Sequence, residues 1–247
     1  MHILEKKVCD ASAEGRTALI PFVTAGYPTP DAFWNVVEEL DAAGADVIEI
    51  GVPFSDPVAD GPVVEAASVQ ALASGITLHW IMEGLRERRG RFRAGLVLMG
   101  YMNPILQYGP DSFARDAADA GVAGCIIPDV PLEESGELRA MLGARGIALI
   151  PLVGQNTAEE RMREYAEQKG LILACGPLPF LKTVHGFARE LNARVQLSLE
   201  NRMACGVGAC LGCVTRTTEE WPVADKRNGL VQTCNHGPVF WANQIEL

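Results

Sequence analysis

No basic run stands out anywhere in this chain, and its formal charge is −10 at pH 7, with a pI of about 4.9. That balance argues against nucleic acid or an anionic membrane as a partner. No stretch approaches the ~18 consecutive apolar residues of a membrane helix. The opening MHILEKKVCD lacks the long apolar core of a secretory leader, so a cytoplasmic location is the expectation. There is no internal repeat and no low-complexity tract. The first strand–loop–helix junction lacks G-x-G-x-x-G, which weighs against a dinucleotide-binding fold.

What is present is a soluble, globular composition: 247 residues, 48% hydrophobic and 21% charged, enough for one large domain or two small ones. The charge is unevenly spread. Residues 170–247 carry 7 Lys or Arg and 6 Asp or Glu, about +1, which leaves about −11 for residues 1–169. Such asymmetry fits two pieces of different origin.

From residue 17 to about 167 apolar runs alternate with helical patterns. TALIPFVTAG, DVIEIGVPF, AGLVLMGYMNP, VAGCIIPDVP and IALIPLV read as strands. TPDAFWNVVEELDAAG, VVEAASVQALASG, TLHWIMEGLRERRG, PDSFARDAADAG, LEESGELRAMLGARG and TAEERMREYAEQ read as helices. Thr29 or Asp31 is the candidate N-cap of the first helix, and Thr157-x-x-Glu160 has the form of a capping box. The alternation predicts an α/β fold with a parallel sheet, closed either as a doubly wound open sheet or as a (β/α)8 barrel. Polar residues at strand ends, Thr24, Glu49, Asn103 and Asp129, favour the barrel, whose strand ends form the active face.

Two of the acids carry a chemical reading. Glu49 lies inside the apolar strand DVIEIG, where a carboxylate is costly unless solvated, paired or protonated. Asp60 follows in the Pro/Gly-rich loop PVADGP. One acid on a strand and one on a loop can hold different protonation states, as general acid–base chemistry requires. Solvated acids at a barrel rim are the alternative.

The segments IPFVTAGYPTPD, DVIEIGVPFSDPVADGPVVEAAS, MGYMNPILQYG, GCIIPDVPLEES and LIPLVGQNTAEER together resemble the tryptophan synthase α-subunit family, over about residues 1–167. The resemblance implies a (β/α)8 barrel that cleaves indole-3-glycerol phosphate to indole and glyceraldehyde 3-phosphate beside a pyridoxal-phosphate β subunit. It implies that Glu49 transfers the proton and that Asp60 supports positive charge on the indole nitrogen. Phe22 and Tyr101 match positions lining the indole pocket, and both would also serve as barrel core. Pro53, Phe54, Asp56 and Asn103 match the loops that meet the β subunit. The chain departs from the pattern after residue 167. The sixth-strand tyrosine and the phosphate-binding glycine and serine loops have no counterpart, which implies an incomplete barrel and impaired cleavage.

The remaining residues contain the cysteine-rich stretch RMACGVGACLGCVTR. Cys9, Cys125 and Cys175 are scattered, as small core hydrophobes would be. Cys205-x4-Cys210-x2-Cys213-x20-Cys234 instead has the plant-type [2Fe–2S] spacing of three close ligands and one remote. Gly206, Gly208 and Gly212 would permit the unusual dihedrals of a loop wrapped around a cluster. Zinc is the rival, although only Cys210 and Cys213 form a C-x2-C unit, and free thiols are the remaining alternative.

LACGPLPFLKTV, VQLSLENRMACGVGACLGCVTRT and TCNHGPVFWANQIEL resemble the C-terminal part of the electron-transfer subunits of type B dihydroorotate dehydrogenases, over about residues 170–247. The resemblance implies a small ferredoxin-like domain in which Cys205, Cys210, Cys213 and Cys234 hold the [2Fe–2S] cluster, with the dehydrogenase's catalytic subunit as partner. Cys175-Gly176-Pro177 matches the last strand–turn of that family's NADH-binding domain; LILAC also has the pattern of a sixth barrel strand. The flavin-binding barrel and an Arg-x-Tyr-Ser signature are missing, so no complete FAD or NAD site is expected. The chain thus reads as a chimera of residues 1–168 and 169–247. A lyase with a passenger cluster, an electron-transfer module on a barrel remnant and an inactive fusion product all remain open.

Overall fold

A computed structural model describes residues 1–154, 157–167, 170–219, 221 and 229–247. It divides into two compact units, Met1–Leu152 and Val153–Leu247. In chain order the first holds α1 (Ile3–Ala13), β1 (Phe22–Thr24), α2 (Pro30–Ala42), β2 (Val47–Gly51), α3 (Pro62–Ala73) and α4 (Leu78–Glu87). It continues with β3 (Gly95–Met99), α5 (Met102–Tyr108), α6 (Pro110–Asp119), β4 (Val122–Ile126), α7 (Gly136–Gly143) and β5 (Ala148–Ile150).

The five strands form one parallel sheet in the order β1-β2-β3-β4-β5. A doubly wound sheet would reverse strand order at a switch point. Here the order follows the sequence, as in a barrel. The packing agrees. Ile48, Ile50, Leu96, Leu98 and Cys125 turn toward the helices, against Phe33, Trp34 and Val37 of α2, Ile81 and Leu85 of α4, Phe113 of α6 and Leu142 of α7. The alternate positions Val47, Val97 and Ile126 form a second, smaller cluster with Leu4, Met99 and Ile150. Because side chains alternate along a strand, Glu49 shares this second face with Val47.

Leu4 shows how α1 is used. A side chain at Gly95 or Gly124 would place its Cβ 2.7 Å from a Leu4 methyl, so both positions need glycine for Leu4 to seat against the sheet. At the other end of α1, Arg16 forms a two-bond ion pair with Asp46 (2.6 and 2.8 Å), whose carboxylate also accepts the Leu19 N–H. Thr29 caps α2 through the Ala32 N–H, and Pro30 supplies its first turn.

The second unit contains α8 (Glu159–Glu167), β6 (Leu171–Cys175), α9 (Leu178–Glu190), β7 (Arg194–Ser198), β8 (Val214–Thr217), β9 (Leu230–Gln232), α10 (Thr233–His236), β10 (Val239–Trp241) and β11 (Ile245–Glu246). β6 pairs with β7 in a three-stranded sheet ordered β10-β7-β6, so its pairing is inside the C-terminal unit. β8, β9 and β11 make a separate sheet, which is antiparallel throughout. α9 covers the first sheet with Leu181, Val184 and Ala188, packed against Val195, Leu197 and Phe240. α8 lies on α9, where Arg163 bonds Glu190 at 2.8 and 3.2 Å and rests over the Phe187 ring.

Some local expectations change. α8 begins at Glu159, and the Thr157 hydroxyl accepts the Gly154 N–H, serving the turn ahead of the helix. Cys125 is buried as expected and Cys9 is half-buried, but Cys175 is exposed at the end of β6, its Sγ 3.8 Å from the Glu200 carboxylate. Most of the polar stretch TTEEWPVADKRNG lies outside the described residues.

Candidate functional site

Glu49 sits within β2 on the sheet face opposite the helices, and Asp60 lies on the loop past the C-terminal end of that strand, near enough for its charge to act on Glu49. Register aligns Phe22 of β1, Glu49 of β2 and Val97 of β3 in one row. Glu49 is half-buried, and its pKa is raised, by burial first and by the charge of Asp60 second. The strand makes it so: the alternation that buries Val47 carries the carboxylate onto the same apolar face.

Asp60 lies on the loop between β2 and α3. Its Oδ2 accepts a 3.0 Å hydrogen bond from the Tyr101 hydroxyl, which in turn accepts the Ala59 N–H at 2.9 Å. Tyr101 is buried just past the end of β3, and burial together with the bonded carboxylate raises its phenol pKa. A shallow, open cleft runs beside them, lined among others by Phe22, Thr24, Gly51, Asp60, Val64 and Tyr101. Phe22 forms its wall so closely that a Cβ on Gly51 would come within 2.6 Å of the ring.

The four residues matched to a partner-facing surface are placed differently from one another. Asp56 and Asn103 are exposed, Pro53 is buried, and Phe54 turns inward with its ring 5.2 Å from that of Tyr101. Asn103 belongs to the first turn of α5 rather than to a strand-end loop, and Asp129 accepts the Met102 N–H at 3.0 and 3.1 Å, fastening that turn. The hydroxyl bridge of Tyr101 was not legible from composition or spacing.

The second constellation lies in the loop between β7 and β8 and in α10. The structure brings together Cys205 with Cys210, and Cys213 with Cys234, each pair within hydrogen-bonding reach. Backbone N–H groups point at sulfur: Cys210 N donates to Cys205 Sγ at 3.4 Å and Gly212 N to Cys210 Sγ at 3.5 Å. The N–H groups of Cys210 and Val207, and the Cys210 thiol, lower the Cys205 pKa to about 6; the hydrogen bond that the Cys234 thiol gives to Cys213 raises that of Cys234. Gly206 and Gly208 have φ of 67° and 75°, in the left-handed region. Gly212 does not, and its N–H donates to Cys210 Sγ. Asn201 Nδ2 holds the Thr233 hydroxyl at 2.7 Å, and Gln232 Nε2 holds Gly208 O at 3.0 Å, so side chains from both arms brace the loop. Among the described residues no three His, Cys, Asp or Glu side chains converge as one metal ion would require.

Residues 8–175 match the family Tryptophan synthase alpha chain. The chain belongs to this family. Residues 200–246 match a second one, the iron–sulfur cluster binding domain of dihydroorotate dehydrogenase B. Among curated alpha chains, that of Nitratidesulfovibrio vulgaris (strain DP4) is 69% identical over 163 residues, covering 66% of this chain and 63% of the relative. That of Desulfovibrio desulfuricans is 60% identical over 168 residues, covering 68% and 66%. This chain therefore spans slightly less than two thirds of the first of these tryptophan synthase alpha chains. The crystal structure of tryptophan synthase subunit alpha from Legionella pneumophila superposes with a TM-score of 0.69 at 34% identity, covering 80% of this chain and 77% of that one. The open form of tryptophan synthase from M. tuberculosis gives a TM-score of 0.72 at 29% identity, covering 81% and 82%. The alpha-chain match runs through β6 to Cys175, whereas the compact units part after Leu152.

Proposed function

We propose that the first unit is a carbon–carbon lyase that cleaves indole-3-glycerol phosphate to indole and glyceraldehyde 3-phosphate. The carrying observation is the pair of neighbouring carboxylates, Glu49 on β2 with a pKa raised by burial and by the charge of Asp60, and Asp60 on the cleft wall. A cleft with the Phe22 and Tyr101 rings and a single carboxylate in its lining suits a flat heteroaromatic ring bearing one N–H. Glu49 delivers a proton to the indole carbon that carries the side chain, and Asp60 stabilises the positive charge that then develops on the ring nitrogen. The glycerol hydroxyl loses its proton to the ionised Glu49, the carbon–carbon bond breaks, and its electrons return to the ring. Proton gain and loss balance, and indole and the aldehyde leave. Phe22 and Tyr101 bound the ring.

The substrate's phosphate has no matching glycine and serine loops here. Binding energy from a remote phosphate positions the reacting carbon, and its loss lowers turnover as well as affinity. Cleavage is therefore slow, with an elevated KM. A tryptophan synthase β subunit would meet the face carrying Asp56 and Asn103, with Pro53 and Phe54 beneath it.

Residues from about 169 onward form, in our reading, a [2Fe–2S] module acquired by fusion, for which a dihydroorotate dehydrogenase catalytic subunit is the natural partner. Two thiol pairs fit two irons better than one zinc, which needs all four sulfurs around a single point. Cys205 and Cys210 would hold one iron, Cys213 and Cys234 the other, and the cluster would supply one-electron transfer.

Indole release by purified wild type, Glu49→Gln and Asp60→Asn tests the lyase. Both variants should lose the residual activity. Activity surviving in both would remove these acids as catalysts, and full family-like turnover in the wild type would show that the C-terminal segment rebuilds the phosphate site.

A further inference from the structure

We propose that Tyr101 is a positioning residue: its hydroxyl fastens the Asp60 loop and so fixes the carboxylate at the cleft. This rests on the lyase reading, since Asp60 is taken there as the group that stabilises the ring nitrogen.

The loop between Gly51 and Pro62 forms no helix or strand, and it carries exposed residues such as Val58, 84% accessible. Its own chain offers little to hold a carboxylate in one place. Tyr101 differs in every respect. It is 3% accessible, it follows β3 directly, and its ring lies against Phe54 at 5.2 Å. The phenol has one proton and two lone pairs. The proton goes to Asp60 Oδ2, and a lone pair takes the Ala59 N–H. One oxygen anchored on the scaffold thus grips two successive loop residues, one by side chain and one by backbone. Both bonds use the hydroxyl and neither uses the ring, so a phenylalanine would line the cleft equally well and hold the loop not at all.

Catalysis is sensitive to such a hold, because a displacement of about 1 Å can cost on the order of 100-fold. The test is Tyr101→Phe in the full-length chain, read in two ways. Amide hydrogen exchange of a peptide spanning residues 52–61 should quicken several-fold, while a peptide spanning β3 should be unchanged, which also reports that the variant folds. In indole release, kcat should fall about 10- to 100-fold with KM nearly constant. Unchanged exchange in the loop would overturn the proposal, as would unchanged kcat in an active enzyme. A raised KM at constant kcat would assign Tyr101 to ring binding alone and overturn it too. If the wild type releases no indole at any enzyme concentration, the lyase reading fails by itself, and the exchange result alone decides the hold on the loop.

Discussion

Glu49 occupies a strand position where an aliphatic side chain would be more stable, and its raised pKa records that cost. The sign of the pH effect follows. Burial favours the protonated form in the folded state, so the fold is penalised as pH rises from the ordinary carboxylate range through the raised value. Glu49→Gln should therefore raise the unfolding midpoint relative to wild type at pH 7 to 8, and the difference should shrink towards pH 4. A variant less stable than wild type at neutral pH would mean that Glu49 is paired rather than merely desolvated. Alternation in DVIEIG made this position legible in the sequence, because period two decides which face each residue meets. The grip of Tyr101 on Asp60 was not legible, since it depends on the loop folding back over the end of β3. The cysteines divide in the same way. Spacing singled out four candidate ligands, but could not tell that Cys175 would be exposed and Cys125 buried, its thiol pushed up to about 12. Cys210→Ser should remove most of the visible absorbance of the purified protein and Cys9→Ser should not; equal loss in both would discredit the ligand assignment.

At the scale of elements, the helices α2 and α4 come close at one glycine, Gly84, beside Trp34. A Cβ on Gly84 would lie 2.1 Å from Trp34 Cζ2, and Trp34 is itself fixed by Phe33, Trp80 and Arg88. Two effects oppose each other in Gly84→Ala. Helix propensity favours alanine by about 1 kcal/mol, and overpacking costs roughly 1–3 kcal/mol. The contact is with a ring that cannot swing away freely, so overpacking should win and the denaturant midpoint should fall. A rise would show that the Trp34 ring relaxes at little cost. Long periodic segments such as α2, α4 and α6 were legible because their apolar stripes repeat over several turns. α5 was hidden inside what reads as strand plus loop: it is seven residues long, contains Pro104 in its first turn, and starts where Asp129 from a distant loop takes the Met102 N–H. α1 was missed too, because its value lies in Leu4 seating against Gly95 and Gly124, contacts made across 91 and 120 residues of sequence.

For the whole molecule, two family matches divide the chain, and the seam does not coincide with the structural one. The alpha-chain match includes α8 and β6, yet both pack within the C-terminal unit, α8 through Arg163 on Glu190 and β6 in the sheet with β7 and β10. Sequence wording identified the two origins; it could not reveal that a helix of the first would be taken up by the second, because that choice is made by packing. The same division predicts a negative result. Without the flavin-binding barrel, no flavin should copurify and NADH alone should leave the cluster oxidised; rapid bleaching by NADH would refute the division. The central claim is that one chain joins a lyase-type half-barrel to a binuclear iron–sulfur module. It is tested most directly by the iron and acid-labile sulfide content and the visible spectrum of the protein purified anaerobically. About two irons and about two sulfides per chain, in a red-brown protein, are expected. A colourless protein carrying one zinc per chain would contradict the account.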